Sequence, residues 1–170
     1  MKIKIIKQLK GKTATFKLLD VEIGGKHYLK NILQHPRSVA ILPVIDRDKI
    51  VLIKQFRFAI NREIWEIPAG KLNKNEKPDD GAKRELREET GYRSKELKKI
   101  GEFYLSPGYS TEYMYVFLAK GLKKAKQSLE DGEQITDVKV FSVNEVLKMI
   151  KSRKIVDAKT LLALSFSGLT

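Results

Sequence analysis

Between Pro78 and Gly91 the chain reads PDDGAKRELREETG, and few stretches leave so little choice of local structure. Proline loses nothing at the first position of a helix, where its missing N–H would have had no partner anyway. Asp79 and Asp80 then meet the positive end of the helix dipole, and Gly91 supplies the left-handed residue that stops it. Within these bounds, with Arg84 set at 0° and about 100° per residue, Glu88 falls near 40°, Glu85 near 100° and Glu89 near 140°. Ala82 and Leu86 follow at about 160° and about 200°, so an acidic arc adjoins a narrow apolar stripe that can anchor it to a core. Gly81, at about 60° on the same wheel, is expected to leave room on the acidic side for a metal or a phosphate.

Three carboxylates on one arc repel one another and stay ionised at neutral pH only beside positive charge. The chain has no cysteine and only two histidines, His27 and His35, so any metal must be held by oxygen. Oxygen ligands suit hard divalent cations, magnesium or manganese. A solvated helix face with Glu/Arg pairs would use the same four residues, so the wider pattern has to choose between the two. That pattern is a glycine, five residues, Glu, seven residues, then Arg-Glu-apolar-any-Glu-Glu-any-Gly-apolar. It is matched at every position by Gly70, Glu76, Arg84, Glu85, Leu86, Glu88, Glu89, Gly91 and Tyr92. By these residues the chain resembles the Nudix hydrolases. The resemblance implies an α/β fold, an α/β/α sandwich around a mixed sheet, here with an N-terminal antiparallel β segment.

The rest of the chain reads accordingly. KIKIIKQL alternates, TATFKLLDVEI continues, and Gly24-Gly25 before KHYLKNIL predicts a hairpin. SVAILPVI and KIVLIKQF are branched apolar runs around the polar turn DRDK, as expected of buried neighbouring strands. LKKIGEFYLS and EYMYVFLAKGL predict two more strands with a loop at Pro107-Gly108, and residues 120–134 read as a mobile polar loop. DVKVFSV predicts a strand, and VNEVLKMIKSR and DAKTLLALSF two helices. At 170 residues one unit suffices, divided into an N-terminal β segment, 1–36, and a Nudix domain, 37–170. In family members that act on ADP-ribose a comparable segment helps build a dimer, so the resemblance implies a homodimer.

The longest apolar run, Val39–Ile45, falls far short of a membrane span, and the lysines of MKIKIIKQLK speak against a signal peptide, which makes the cytoplasm the expected compartment. Lys and Arg total 34 against 21 Asp and Glu, a net charge of +13. This excess is scattered, with KELKK and KKAK the densest clusters, and a cationic chain also gains by steering a phosphate-bearing substrate. Nucleic acid is therefore not the expected partner, and salt-dependent RNA binding would be its mark.

The resemblance extends over roughly residues 38–165 and narrows the chemistry. Pro107, fifteen residues beyond the box, KQFRF around Arg57 and WEIPAG around Glu66 are similar to the ADP-ribose pyrophosphatase subfamily. Carried over to the matching positions, the carbonyl of Ala69 and the side chains of Glu85 and Glu89 would hold the metal, with Glu88 a secondary ligand. DGEQI resembles a loop whose glutamate binds metal or activates water, which maps to Glu133, with Asp131 as its rival. Glu66 counts with the substrate-binding residues on the same ground. Chemistry adds Arg57, whose guanidinium forks onto a diphosphate, and Glu112, able to accept ribose hydroxyls. Arg84 is expected to orient carboxylates and Glu76 to assist it. Phe16, Tyr28 and Trp65 are candidates to stack a base, with no choice among them. The implied reaction is magnesium-dependent hydrolysis of ADP-ribose to AMP and ribose 5-phosphate. Another nucleoside diphosphate sugar as substrate, or a nucleotide-sensing regulator without catalysis, are the alternatives.

Overall fold

The computed structural model describes residues 1–46 and 48–169. Two compact units divide the chain: Met1–Arg37 with Phe103–Met114, and Ser38–Glu102 with the chain from Tyr115 onward. The first unit takes in 103–114 because Leu33 donates to the Tyr109 carbonyl (2.7 Å) and accepts from the Thr111 N–H (3.0 Å).

In the first unit β1 (Lys2–Lys10), β2 (Thr15–Ile23) and β3 (Lys26–Gln34) form an antiparallel sheet in that order. The β2–β3 hairpin turns on Gly24 (φ 58°) and Gly25 (φ 78°), left-handed positions that glycine occupies without strain. Register places Ile3, Val21 and Tyr28 in one cross-strand row and Ile5 opposite Leu19 in the next but one, on the same face. Ile3, Ile5 and Tyr28 remain 58%, 49% and 44% exposed on this face, although Val21 between them is buried and Lys30 stands opposite Leu19.

The second unit is built on β4 (Ser38–Ile45) and β5 (Lys49–Arg57), an antiparallel pair whose apolar runs are buried on both faces. Arg47, between them in the chain, lies outside the described residues. A 3₁₀ turn at Phe58–Ile60, ended by Asn61 in the left-handed region (φ 50°), returns the chain as β6 (Arg62–Glu66), paired with β5. β7 (Ala69–Lys71) then pairs with β4. Neither short strand is foreshadowed in the sequence, because five and three residues are too few to show a period and the turn carries no glycine.

α1 (Pro78–Thr90) follows with its expected bounds: Pro78 opens it and Gly91 (φ 68°) closes it, its N–H donating to the Arg87 carbonyl at 2.9 Å. Its stripe of Ala82 and Leu86 packs with Val39, Ile41, Val51, Phe117 and Ala119. After β8 (Tyr92–Arg93) come β9 (Glu96–Tyr104), β10 (Tyr113–Lys120), β11 (Lys123–Lys124) and β12 (Ile135–Ser142). The seven-stranded mixed sheet runs β12-β5-β4-β10-β9 with β6 and β7 attached, and β11 pairs with β8 apart from it. α2 (Val143–Lys151) starts on a capping box of Ser142 and Glu145, and α3 (Ala158–Ser167) is capped by Asp157. Both α1 and α3 pack on β4. With both faces of that strand buried, helices and sheet form the layered α/β/α arrangement.

The loop at 120–134 is less free than its composition suggests. The last carbonyls of a helix have no partner within it, and here the loop supplies them: Ser128 N–H donates to Glu88 O (3.1 Å), Gln127 Nε2 to Glu89 O (2.6 Å) and Ala125 N–H to Gly91 O (2.7 Å). Only the part beyond Ser128, carrying Glu133, lies past this strap.

Candidate active site

The box folds around one contact. A Cβ added at Gly70 would collide with the Glu85 carboxyl group, so glycine there is what lets the β7 backbone and α1 close on each other. Glu89 is fixed from the same side, its Oε2 accepting the Ala69 N–H at 2.8 Å. Arg84 organises the remainder. Nε and Nη2 donate to the two oxygens of Glu76 at 2.9 Å each, Nη1 to Glu85 Oε1 (2.7 Å) and Glu88 Oε2 (3.1 Å), and Nη2 also to the Lys71 carbonyl (2.9 Å). Glu76 is anchored in turn by the Asn73 N–H at 2.8 Å. The bonds from Arg84 hold the Glu76 carboxyl below its usual range, and Glu76 foremost raises the Arg84 pKa.

Gly81 does not serve the purpose first suggested for it. A Cβ there would run into the Leu72 side chain and approach Glu76, so the space is occupied by packing and holds no opening toward a ligand.

Glu85 and Glu89 are 3% and 1% exposed, and Glu133 is half-buried. One carboxylate oxygen from each of the three lies within 4.8 Å of the others. Glu133 is aimed by its own turn, in which its N–H donates to the Glu130 carbonyl (3.1 Å) and its Oε2 accepts the Glu130 N–H (2.9 Å). Asp131, in the same turn, is exposed and outside this group. Glu88 is also outside it, bridged between Arg84 and Arg87 Nη2 (2.9 Å).

Proximity and burial raise the acids. Burial pushes Glu85 up to about 7 against the pull of Arg84, with Glu133 and Glu130 adding repulsion. Burial and the Glu85 charge raise Glu89 well above the ordinary range, and burial raises Glu133. Three converging carboxylates, raised by burial and mutual repulsion, are a donor set a hard divalent cation fits, all oxygen and closely spaced.

Arg57 borders this group, near enough for its charge to favour ionisation of Glu133 and to be favoured by Glu89. Burial alone would lower its pKa, but Glu66, bound through Nε (2.8 Å) and Nη2 (2.7 Å), raises it. Glu66 is fully buried and takes a second cation, Lys159, on Oε2. Lys159 is itself 7% exposed and donates to Asp157 Oδ1 at 2.9 Å. Burial would raise Asp157, but Lys159 and Thr160 bring it below its usual value. Lys159 escaped sequence reading because DAKTLLALSF shows only an apolar helix; a lone lysine in such a run, with a carboxylate in WEIPAG needing a partner, was its one signal.

Of the remaining candidates, Glu112 lies in the first unit, 3.8 Å from His35 Nδ1, its N–H bonded to Ser110 Oγ. Phe16 and Tyr28 are exposed on the three-stranded sheet. Trp65 stands edge-on to Phe141 at 5.0 Å, with Lys139 over its ring.

A NUDIX domain model matches residues 34–164. The chain is 44% identical to an ADP-ribose pyrophosphatase of Bacillus subtilis over 92% of its length and 85% of that protein's. It is 35% identical to a methanol dehydrogenase activator of Bacillus methanolicus over the same shares, and 32% identical to a GDP-mannose pyrophosphatase of Citrobacter koseri over 80% and 79%. A crystal structure of an ADP compounds hydrolase superposes with a TM-score of 0.83 at 18% identity, covering 98% of this chain and 90% of that one, which shows the shared fold.

Proposed function

The chain belongs to the NUDIX domain family, and from that premise we propose that it is a pyrophosphatase that uses water to cut ADP-ribose into AMP and ribose 5-phosphate. The observation that carries this reading is the convergence of Glu85, Glu89 and Glu133 beside Arg57, in a chain 44% identical to an ADP-ribose pyrophosphatase. Glu85, Glu89 and Glu133 would hold a divalent cation, with the Ala69 carbonyl and Glu88 as further oxygen donors. When bound, this cation, for which we propose magnesium with manganese as a substitute, neutralises diphosphate charge and polarises phosphorus. Arg57 forks onto the diphosphate, and Glu66, held by Lys159, keeps that guanidinium in place. Glu133, aimed at the group by its own turn, accepts the proton of the attacking water. Arg84 orients Glu85 and Glu88 by bonds that cost no rearrangement during the reaction.

We further propose a homodimer formed through the three-stranded sheet, whose exposed apolar side chains Ile3, Ile5 and Tyr28 a partner copy would cover. The cytoplasm is the compartment we propose; among the described residues no helix is long and apolar enough to cross a membrane. A panel of ADP-ribose, ADP-glucose and GDP-mannose with magnesium tests the substrate. Highest kcat/KM on ADP-ribose supports the proposal, preference for GDP-mannose transfers it to that sugar nucleotide, and release of no phosphomonoester from any of them leaves a regulator as the better reading.

A further inference from the structure

The residues of α1 outside the acidic arc form a second feature. Asp80, Lys83 and Arg87 recur at helical spacing, and together with Arg84, Arg93 and Ser94 they line a cleft of about 370 Å³. Its lining carries four cationic side chains and one carboxylate. Asp80 neutralises little of that charge, because its pairing with Lys83 spans 3.9 Å on exposed side chains. Arg84 is occupied by its bonds to Glu76, Glu85 and Glu88, but Arg87 spends one nitrogen on Glu88, out of the five N–H donors a guanidinium offers. Ser94 adds an independent sign. Its Oγ is buried and has no hydrogen-bond partner among the described residues, a state that native proteins avoid unless a ligand or water meets the group.

We propose that this cleft binds a small tetrahedral oxyanion, inorganic phosphate or the phosphoryl end of a phosphomonoester. Lys83, Arg87 and Arg93 supply charge-assisted hydrogen bonds, and the Ser94 hydroxyl supplies the donor that now lacks an acceptor. The site is separate from the carboxylate trio, yet linked to it. Glu88 is bridged by Arg84 at 3.1 Å and Arg87 at 2.9 Å, and both arginines line the cleft. An anion there competes with Glu88 for Arg87 and so reaches the acidic arc. None of this depends on the substrate assigned above.

The test is a titration of the metal-free full-length protein, labelled with 15N, by inorganic phosphate and separately by ribose 5-phosphate at constant ionic strength. Without divalent cation neither anion is drawn to the carboxylates. Expected are saturable shifts of the Lys83, Arg87, Arg93 and Ser94 amides with Glu88 following, half-complete at or below about 10 mM. Tighter binding of ribose 5-phosphate identifies a phosphomonoester site, and equal or weaker binding identifies the free anion as the ligand. The double variant Lys83→Ala/Arg93→Ala, at two exposed positions, weakens binding about 100-fold, roughly tenfold for each charge-assisted bond lost. Ser94→Ala weakens it several-fold with an unchanged melting temperature. Shifts that stay linear with concentration, or saturable binding that survives the double variant in folded protein, overturn the proposal.

Discussion

Replacing Glu85 by glutamine should stabilise the cation-free protein above neutral pH and blunt its response to magnesium. Glu85 is 3% exposed, and burial moves its carboxyl from 4.5 to about 7, roughly 2.5 pH units. At about 1.4 kcal/mol per unit the ionised form is disfavoured by at most ~3.5 kcal/mol. Glutamine keeps the shape but weakens the 2.7 Å bond from Arg84, and Glu89 still repels Glu133, so a net gain of ~1–2 kcal/mol is expected. A carboxyl raised in the folded state contributes stability that is fully present below pH 4.5 and is lost as pH rises through about 7. Glu63, Glu76, Asp137, Glu145 and Asp157 are lowered instead, so their contributions fade at more acid pH, while Glu89 and Glu133, also raised, are present in parent and variant alike. Thermal melts in chelator should therefore show Glu85→Gln above the parent by ~3–6 °C at pH 8 and level with it at pH 5. Millimolar magnesium should raise the parent at pH 8 more than the variant. A variant less stable than the parent at pH 8 in chelator, or equal magnesium shifts in both, would refute the reasoning.

Three further outcomes follow from the same geometry. Glu133→Gln should lower kcat by about 10² to 10⁴ with little change in KM, while Asp131→Asn stays within about twofold of the parent; the reverse pattern moves the base to Asp131. Lys159→Met leaves Glu66 with Arg57 alone and Asp157 without its cation. It should cost about 3–5 kcal/mol and lower the melting temperature by roughly 10 °C, with part restored by adding Glu66→Gln; an unchanged melt would show the pairing to be idle. Light scattering at micromolar concentration should give twice the 19.5 kDa chain mass, falling to one chain in Ile3→Asp/Ile5→Lys. A monomer in the parent rules out the dimer.

What could be read in advance was whatever repeats or terminates within one element. Pro78 and Gly91 mark α1, the i, i+4 recurrence from Arg84 to Glu88 sets the arc, and unbroken apolar runs mark β4 and β5. Less legible were features decided by a distant partner. Gly70 and Gly81 look alike in sequence, yet one is pressed by a carboxyl group and the other by a leucine. Glu66 reads as an ordinary strand residue, and only the fold brings Arg57 and Lys159 onto it from nine and 93 positions away. The loop at 120–134 looked mobile because it is polar, whereas the carbonyls that strap it belong to α1 and the glycine that ends it. Glu133 over Asp131 is likewise a matter of where one turn points its side chains, which a motif of five residues does not encode.

The most direct test is a 31P NMR time course of ADP-ribose with the protein, with and without magnesium, for the parent and for Glu89→Gln. The account predicts that the diphosphate resonances give way to two phosphomonoester resonances, AMP and ribose 5-phosphate, only when the cation is present. In Glu89→Gln the rate should fall at least ~100-fold while the fold is retained. An intact diphosphate in the parent with magnesium, or hydrolysis equally fast in chelator or in Glu89→Gln, would contradict it.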